Sequence, residues 1–154
     1  MFRGTHQHSI DAKGRTSLPV PFRELLAERS EEHLVVTTGP GKSLWCFPPS
    51  TWAALEEKVA AMPQFEQETQ DFMHAFIMPA QDCSFDKMGR ILVPPMLRAH
   101  AALETEVVWL GAIHRIELWN AERYLTRQAA ATAAILDGGA FPPKLAEKLG
   151  NFKV

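Results

Sequence analysis

Two stretches of the 154-residue sequence carry the same pattern: an aspartate, two variable residues, a glycine and an arginine. The first copy runs from Asp11 to Arg15 and the second from Asp86 to Arg90, at an offset of 75 residues. An aspartate that opens a turn can accept hydrogen bonds from the backbone N–H groups after it, and the glycine supplies a positive φ. The arginine then starts a strand close enough to pair with the aspartate. The pattern therefore predicts two hairpin turns, each with a local ion pair.

The segments that contain the two turns differ in charge: residues 1–23 carry +3 and residues 75–98 carry +1. Lys13 and Arg15, with Arg3 upstream, put more positive charge at the first copy than turn geometry requires, whereas Met88 replaces the lysine in the second copy. Arg3, Lys13, Gly14 and Arg15 are therefore candidates for a site that binds an anion. We predict that Asp11, Asp86, Gly89 and Arg90 build the turns.

The distribution of charge supports a local anion-binding site on an otherwise acidic chain. The net charge is −2, which argues against non-specific binding of nucleic acid. Residues 1–23 nevertheless carry four basic residues against one acidic residue, whereas residues 24–74 carry three basic and nine acidic residues. Hydrophobic residues make up 46%, as in ordinary globular proteins. The sequence has neither a long apolar stretch nor a signal peptide, so we expect a cytoplasmic protein without a membrane span.

Two further patterns suggest binding sites but lack essential parts. The stretch GPGKS at residues 39–43 has Val36 where a phosphate-binding loop needs its first glycine, and a strand instead of a helix is expected to follow. His6 and His8 share one side of a strand, but no further ligand completes a metal site. We read them as exposed histidines that could approach a DNA phosphate. We predict neither a metal nor a cofactor.

Catalytic arrangements are equally incomplete. Cys46 and Cys83 have no C-x-x-C spacing and no obvious histidine partner, so we expect buried, reduced thiols. Asp11 and Asp86 do not suit an acid–base pair, because each has its own arginine four residues on, which lowers its pKa. We predict that the protein is not an enzyme.

The repeat extends beyond the turns. Residues 34–52 and 108–124 each contain an apolar run, a glycine turn and a second apolar run ending in an aromatic residue. Strand-like runs such as RTSLPV, HLVVTT, RILVP and RIELW alternate with helical stretches. Pro21 and Pro95 suit the first turns of short helices, and Ser50 suits a helix N-cap. We predict an α+β fold with residues 1–74 as one repeat and residues 75–154 as a second repeat plus C-terminal helices, together one globular unit.

At these residues the chain resembles the MraZ family of bacterial transcriptional regulators. The resemblance lies in MFRG at the start, DAKGRTSLPVPFR, DKMGRILVPPMLR and VWLGAIHRIELWN, and it covers most of residues 1–125. It implies a swapped-hairpin β-barrel of the AbrB-like type, built here from two tandem pseudo-symmetric repeats with flanking helices. It also implies a DNA-binding regulator, associated with the nucleoid, that assembles into rings. By this resemblance the basic hairpin with Lys13, Gly14 and Arg15 binds DNA, and we predict that Lys13 and Arg15 contact base edges and that Arg3 contacts a phosphate. Its expected target is direct repeats upstream of the division and cell-wall gene cluster.

Two hypotheses follow for the function. The first is a sequence-specific DNA-binding transcriptional regulator that works as a homo-oligomer, since linked copies multiply a modest affinity. The second is an oligomeric structural or interaction protein that binds other proteins, with both turns purely structural. The state of Arg15 discriminates between them: a free guanidinium at a convex tip favours DNA, and one held in a complete pair with Asp11 favours the structural role.

Overall fold

The computed structural model describes residues 1–150 and shows a mixed α+β fold. The chain divides into two compact units, Met1–Ala121 and a second unit that begins at Glu122. The first unit contains all the strands of the described residues. In chain order these are β1 (Thr5–Ser9), β2 (Arg15–Ser17), β3 (His33–Gly39), β4 (Ser43–Phe47), β5 (Gln81–Ser84), β6 (Arg90–Leu92), β7 (Glu106–Ala112) and β8 (Arg115–Asn120).

The strands pair only in antiparallel fashion and form two sheets. One sheet has six strands in the order β1-β7-β8-β4-β3-β5, and the other is a ribbon of β2 and β6. The closed barrel that the resemblance implies is therefore wrong as a description of the hydrogen-bonded ladders. A physical reason lies at the ends of the ribbon: Pro19 and Pro94 follow its strands, and proline has no N–H to continue a ladder.

Six α-helices occur among the described residues. The α-helices are α1 (Val20–Glu28), α2 (Pro49–Ala60), α3 (Gln67–Phe72), α4 (Pro95–Ala101), α5 (Ala121–Ile135) and α6 (Pro143–Leu149). A 3₁₀ turn spans Pro40–Lys42, and a π-helical turn spans Met73–Ile77 directly after α3. None of the helices within residues 1–150 has both the length and the apolar character needed to cross a bilayer.

Prolines start the helices as predicted, but one predicted cap is wrong. Pro21 and Pro95 lie in the first turns of α1 and α4. The N-cap of α2 is Pro48, so Ser50 lies inside the helix, and its backbone N–H donates instead to the carboxylate of Glu31 at 2.9 Å. A carboxylate at this position also interacts favourably with the positive end of the helix dipole.

Both repeats contribute equivalent positions to the larger of two buried apolar clusters. Thr16 and Ile91, the central residues of β2 and β6, are both buried and pair with each other across the ribbon. Further buried pairs at the same offset of 75 are Leu18 and Val93, Phe22 and Leu97, and Leu26 and Ala101. Because this cluster is made of residues from both repeats, an isolated repeat would lack the side chains against which its own apolar residues pack.

Two backbone hydrogen bonds connect the repeats reciprocally. Leu18 N–H donates to the carbonyl of Gly89 at 3.1 Å, and Val93 N–H donates to the carbonyl of Gly14 at 2.8 Å. The strand end of each repeat is thus attached to the turn of the other. The sequence pattern of two matching turns corresponds to a pseudo-twofold arrangement in the first unit.

Candidate nucleic-acid interface

The first turn is organised by the carboxylate of Asp11. Its Oδ1 accepts the backbone N–H groups of Lys13 at 3.0 Å and Arg15 at 2.9 Å, and its Oδ2 accepts Nε of Arg15 at 2.7 Å. Gly14 takes a φ of +90° and donates its N–H to the Asp11 carbonyl at 2.9 Å. The predicted turn and ion pair are therefore confirmed here.

The second turn repeats this geometry almost without change. Asp86 Oδ1 accepts the N–H groups of Met88 and Arg90 at 2.9 Å each, and Oδ2 accepts Nε of Arg90 at 2.8 Å. Gly89 has a φ of +74°. The second turn has its lysine at position 87 instead of the position equivalent to Lys13, so its net charge and its backbone hydrogen bonds are the same as in the first turn.

The same contacts lower the pKa of both aspartates. For Asp11 the backbone N–H of Arg15 is the largest cause, and the hydrogen bond and charge of the Arg15 side chain add to it. For Asp86 the backbone N–H of Arg90 is again the largest cause. The direction agrees with the sequence prediction, but the largest single cause is a backbone N–H and not the guanidinium. Both carboxylates consequently stay ionised and keep the arginines oriented.

The fully formed ion pair of Arg15 with Asp11 is the arrangement that was expected for a structural role. This pair, however, uses Nε. Within residues 1–150 the two terminal nitrogens of Arg15 have no hydrogen-bond partner, and the side chain is 36% exposed. The edge of the guanidinium that could donate two parallel hydrogen bonds remains available, while the aspartate fixes its direction.

The available edge of the Arg15 guanidinium lies on the outward face of the ribbon of β2 and β6. Arg15 pairs with Leu92 and Ser17 pairs with Arg90. Since the central pair of the ribbon faces the core and strand side chains alternate, these four residues share the outward face. Leu92 is 56% exposed. A two-stranded ribbon of this kind fits the major groove of B-form DNA.

Lysines flank the ribbon at both turns. Lys13 is exposed at the first turn, and Lys87 is exposed at the second, one position earlier in the pattern. The sequence prediction emphasised Lys13 and gave Lys87 no role, although the Asp-x-x-Gly-Arg alignment contains it.

Two more arginines reach the turns from the opposite repeats. A Cβ placed on Gly14 would lie 2.5 Å from Nε of Arg98, and a Cβ placed on Gly89 would lie 2.2 Å from a terminal nitrogen of Arg23. Arg23 follows β2 on α1, and Arg98 follows β6 on α4, so each arginine crosses to the other repeat's turn. The alignment of Arg23 with Arg98 was the only sequence signal for this contact, and it revealed no function.

The structure does not bring Arg3 into this cluster. Arg3 is exposed and precedes β1, whereas the first turn follows β1, a five-residue strand of about 17 Å. Backbone atoms of Arg3 instead pack against Gly111, where a Cβ would lie 2.2 Å from the Arg3 nitrogen. Arg3 and the Lys13–Arg15 turn lie at opposite ends of β1.

The histidines are half-buried, so the prediction that both are exposed is wrong. The His6 ring packs edge-on against Phe22, with ring centroids 5.1 Å apart. His8 donates from Nδ1 to the carbonyl of Ser17 at 2.6 Å, next to the ribbon. Within the part of the chain that the structure describes, no group of three or more His, Cys, Asp or Glu side chains could hold a metal ion.

The cysteines are free and buried, as predicted. Burial raises the pKa of Cys46 well above its ordinary value, and the charges of Cys83 and Glu117 act in the same direction. Burial, with a smaller effect of Asp82, raises the pKa of Cys83 to about 11. Both groups are thiols at neutral pH and poor nucleophiles.

Comparison with known proteins matches the chain to one family. The model of the family described as "MraZ protein, putative antitoxin-like" matches residues 1–74 and 76–135. Proteins named transcriptional regulator MraZ are similar over most of their length. The one from Heliobacterium modesticaldum is 44% identical over 124 residues, 80% of this chain and 84% of the relative. The one from Carboxydothermus hydrogenoformans is 38% identical over 152 residues, 99% of each chain. The one from Nitrosospira multiformis is 38% identical over 133 residues, 86% of this chain and 90% of the relative.

Proposed function

The chain belongs to the MraZ family, and from this membership we propose that it is a DNA-binding transcriptional regulator whose DNA contact is the ribbon of β2 and β6. The observation that carries the proposal is the outward face of this ribbon. It presents two arginines, each oriented by an aspartate that binds Nε, and the terminal nitrogens have no hydrogen-bond partner among the described residues. We propose no catalytic function.

In this proposal Arg15 reads a base. Its terminal nitrogens would donate to O6 and N7 of a guanine in the major groove, while Asp11 holds the side chain in one direction. Such preorganisation reduces the rotamer entropy that an arginine loses on binding. Lys13 would contact phosphate or a base edge, and the buried Gly14 would hold the turn in shape and leave room for Arg98 beside it. Arg3 would contact phosphate separately, because it lies at the other end of β1.

The first turn would dominate over the second. Lys13 occupies the position that Met88 fills in the second copy, and Met88 is 67% exposed. The second turn would then mainly support the ribbon, with Asp86, Gly89 and Arg90 in structural roles. Lys87 gives the second turn a cation of its own, so this asymmetry is one of degree.

The repeat architecture belongs to the same proposal. We interpret residues 1–74 and 75–154 as two swapped-hairpin repeats of the AbrB-like type, the second extended by the C-terminal helices. The reciprocal bonds from Leu18 to Gly89 and from Val93 to Gly14 support this interpretation, because each repeat completes the other.

Assembly would supply the affinity that one subunit lacks. A chain with a net charge of −2 and one small basic surface should bind DNA weakly by itself. We propose a homo-oligomer, as a ring, that displays its ribbons at regular spacing to direct repeats upstream of the division and cell-wall gene cluster. It would act in the cytoplasm in association with the nucleoid.

One experiment tests the function directly. Binding of the full chain is measured on DNA from upstream of its own gene, on a direct-repeat segment and on scrambled DNA of equal length. The proposal expects protection of the direct repeats in footprinting and a preference for them over scrambled DNA. Equal, salt-sensitive binding to all three DNAs would contradict sequence-specific regulation.

A second candidate function is an oligomeric protein that binds other proteins. It is favoured by the near-identity of the two Asp–Arg pairs, 2.7 Å and 2.8 Å, since a purely structural turn would need the same pair twice. If Arg15→Ala binds direct-repeat and scrambled DNA as the wild type does, this candidate replaces the first.

A further inference from the structure

We propose that Arg98, although it belongs to the second repeat, contacts the DNA backbone beside the first turn, and that Arg23 of the first repeat is its counterpart beside the second turn. The ligand is a phosphodiester of the bound DNA. The inference rests on the proposed DNA-binding function and adds two cations that the repeat pattern alone does not connect with the turns.

Arg98 and Arg23 each lie against the turn of the opposite repeat. A Cβ on Gly14 would lie 2.5 Å from Nε and 2.6 Å from Cζ of Arg98, so this guanidinium lies directly against the apex of the first turn. The corresponding distances at Gly89 are 2.2 Å to a terminal nitrogen and 2.8 Å to Cζ of Arg23. Each turn therefore presents an arginine from the opposite repeat beside its own lysine and its own arginine.

Arg23 and Arg98 are cations without an anionic partner among the described residues. Arg15 and Arg90 each give Nε to an aspartate, but within residues 1–150 neither Arg23 nor Arg98 forms an ion pair or a side-chain hydrogen bond. Both side chains are half-buried, and Nε of each is buried without an acceptor. Removing a cation from water without a partner is unfavourable, so an anion that approaches these groups would offset that cost.

The terminal nitrogens of Arg23 and Arg98 are accessible to a ligand from solvent. The terminal nitrogens of both arginines are unpaired among the described residues, and they are not among the buried unpartnered atoms, so solvent reaches them. A phosphate oxygen could accept from them without moving the turn. The buried Nε and the contact with the glycine would hold the guanidinium in place, which favours a fixed contact over a loosely attracted counterion.

In this proposal Arg98 contacts the DNA backbone, whereas Arg15 contacts a base. The outward face of the ribbon enters the groove in the proposed function, and Arg15 occupies that face. Arg98 lies at the turn, at one end of the ribbon, where a ribbon in the major groove meets the phosphates that border it. A phosphate contact at this point sets the depth and direction of the ribbon but reads no sequence.

The test compares Arg98→Gln with Arg98→Lys and with the matched variant Arg23→Gln in the full chain. Glutamine keeps much of the length and some hydrogen-bonding capacity but removes the charge, whereas lysine keeps the charge. Binding to direct-repeat and scrambled DNA is followed by fluorescence anisotropy at several salt concentrations, below the unfolding temperature of each variant.

The expected result is that Arg98→Gln weakens binding to both DNAs by a similar factor. It should also reduce the slope of log K against log salt by about 0.9 for each phosphate that the arginine no longer neutralises. Arg98→Lys should keep most of the slope. If the first turn dominates, Arg23→Gln should change the slope less than Arg98→Gln does, although Arg23 belongs to the first repeat.

Two results would overturn the inference while leaving the proposed function intact. One is an unchanged salt slope in Arg98→Gln when the wild type binds direct repeats and Arg15→Ala loses the preference. The other is loss of sequence preference in Arg98→Gln at unchanged slope, which would make Arg98 only a support of the turn. Failure of the wild type to bind any DNA would overturn the inference and the function together.

Discussion

Gly14 and Arg98 share a space that cannot hold an additional side-chain carbon, because a Cβ on Gly14 would lie 2.5 Å from Nε of Arg98. Gly14→Ala should therefore destabilise the protein in two ways. It strains a backbone with φ of +90°, at about 1–3 kcal/mol, and it displaces a half-buried guanidinium. Urea unfolding followed by tryptophan fluorescence measures the decrease in the free energy of unfolding.

Gly4→Ala is the matched control for this prediction. Gly4 has a φ of +99°, but a Cβ there would meet only the His6 ring, at 3.2 Å. Its cost should be that of backbone strain, smaller than the cost at Gly14. Adding Arg98→Ala to Gly14→Ala should recover part of the difference. An equal decrease in the free energy of unfolding for both glycine variants would show that Arg98 does not restrict the turn.

Arg15→Ala should relax sequence preference. If the terminal nitrogens donate two hydrogen bonds to a guanine, their removal should cost about 1–3 kcal/mol per engaged subunit on the direct-repeat DNA and much less on scrambled DNA. Arg90→Ala is the matched control, because its ion pair has nearly the same geometry. Competition binding with both DNAs measures the ratio. An equal decrease in both variants would refute the dominance of the first turn.

Lys13→Ala and Met88→Lys remove and add a cation at the same position of the two turns. If Lys13 contacts phosphate, its removal should weaken binding to all sequences alike and reduce the salt slope by about 0.9 per phosphate. Met88→Lys should raise affinity, because it places a cation at the exposed equivalent position. Salt titrations of both variants provide the measurement. A change of sequence preference in Lys13→Ala would identify it as a base contact instead.

Stability should decrease in acid because of Asp11 and Asp86. The pKa of each is lower in the folded protein than its ordinary value of 3.8. A lowered folded pKa contributes stability that is present above the unfolded pKa and is lost as pH falls through the folded pKa. Thermal unfolding between pH 6 and pH 2 should show this decrease below about pH 4. The double variant Asp11→Asn, Asp86→Asn should depend less steeply on pH in that window; an unchanged profile would exclude these carboxylates as its source.

The cysteines should not react in the folded state. Cys46 is fully buried, and the pKa of Cys83 is raised to about 11, so neither offers a thiolate at pH 8. A thiol-specific chromogenic reagent should label both only after unfolding in guanidinium chloride. Rapid labelling of the native protein at pH 8 would indicate local opening of the sheet around β3, between β4 and β5.

Local features were predictable from the sequence because their causes are local. The Asp-x-x-Gly-Arg pattern contains every donor and acceptor of its turn, and Pro21 and Pro95 indicate helix starts by their fixed φ. Features that depend on distant residues were not predictable. Glu31 caps α2 from 19 residues away, and no cap rule identifies it. The sheet order also depends on pairings such as β1 with β7, which local periodicity does not encode.

The site divides in the same manner. The pairing of Arg15 with Asp11 could be read from four residues of spacing. The contact of Arg98 with Gly14 spans 84 positions and depends on the pseudo-twofold arrangement, so the sequence showed a repeated arginine without its partner. His6 and His8 looked exposed because strand alternation alone does not reveal that α1 and β2 cover them.

Arg23 and Arg98 each contact the turn of the opposite repeat, so the two repeats are related to each other as the two different subunits of a heterodimer would be. A homodimer must accept every substitution twice, whereas the two halves of this chain can diverge independently at exposed positions. They have done so on the surface, where Lys13, Ser17 and Pro21 correspond to Met88, Leu92 and Met96. The two repeats have not diverged where each arginine contacts the opposite turn: Gly14 and Arg23 recur as Gly89 and Arg98. A redesign of DNA specificity could therefore alter one half alone, provided that it leaves those four residues in place.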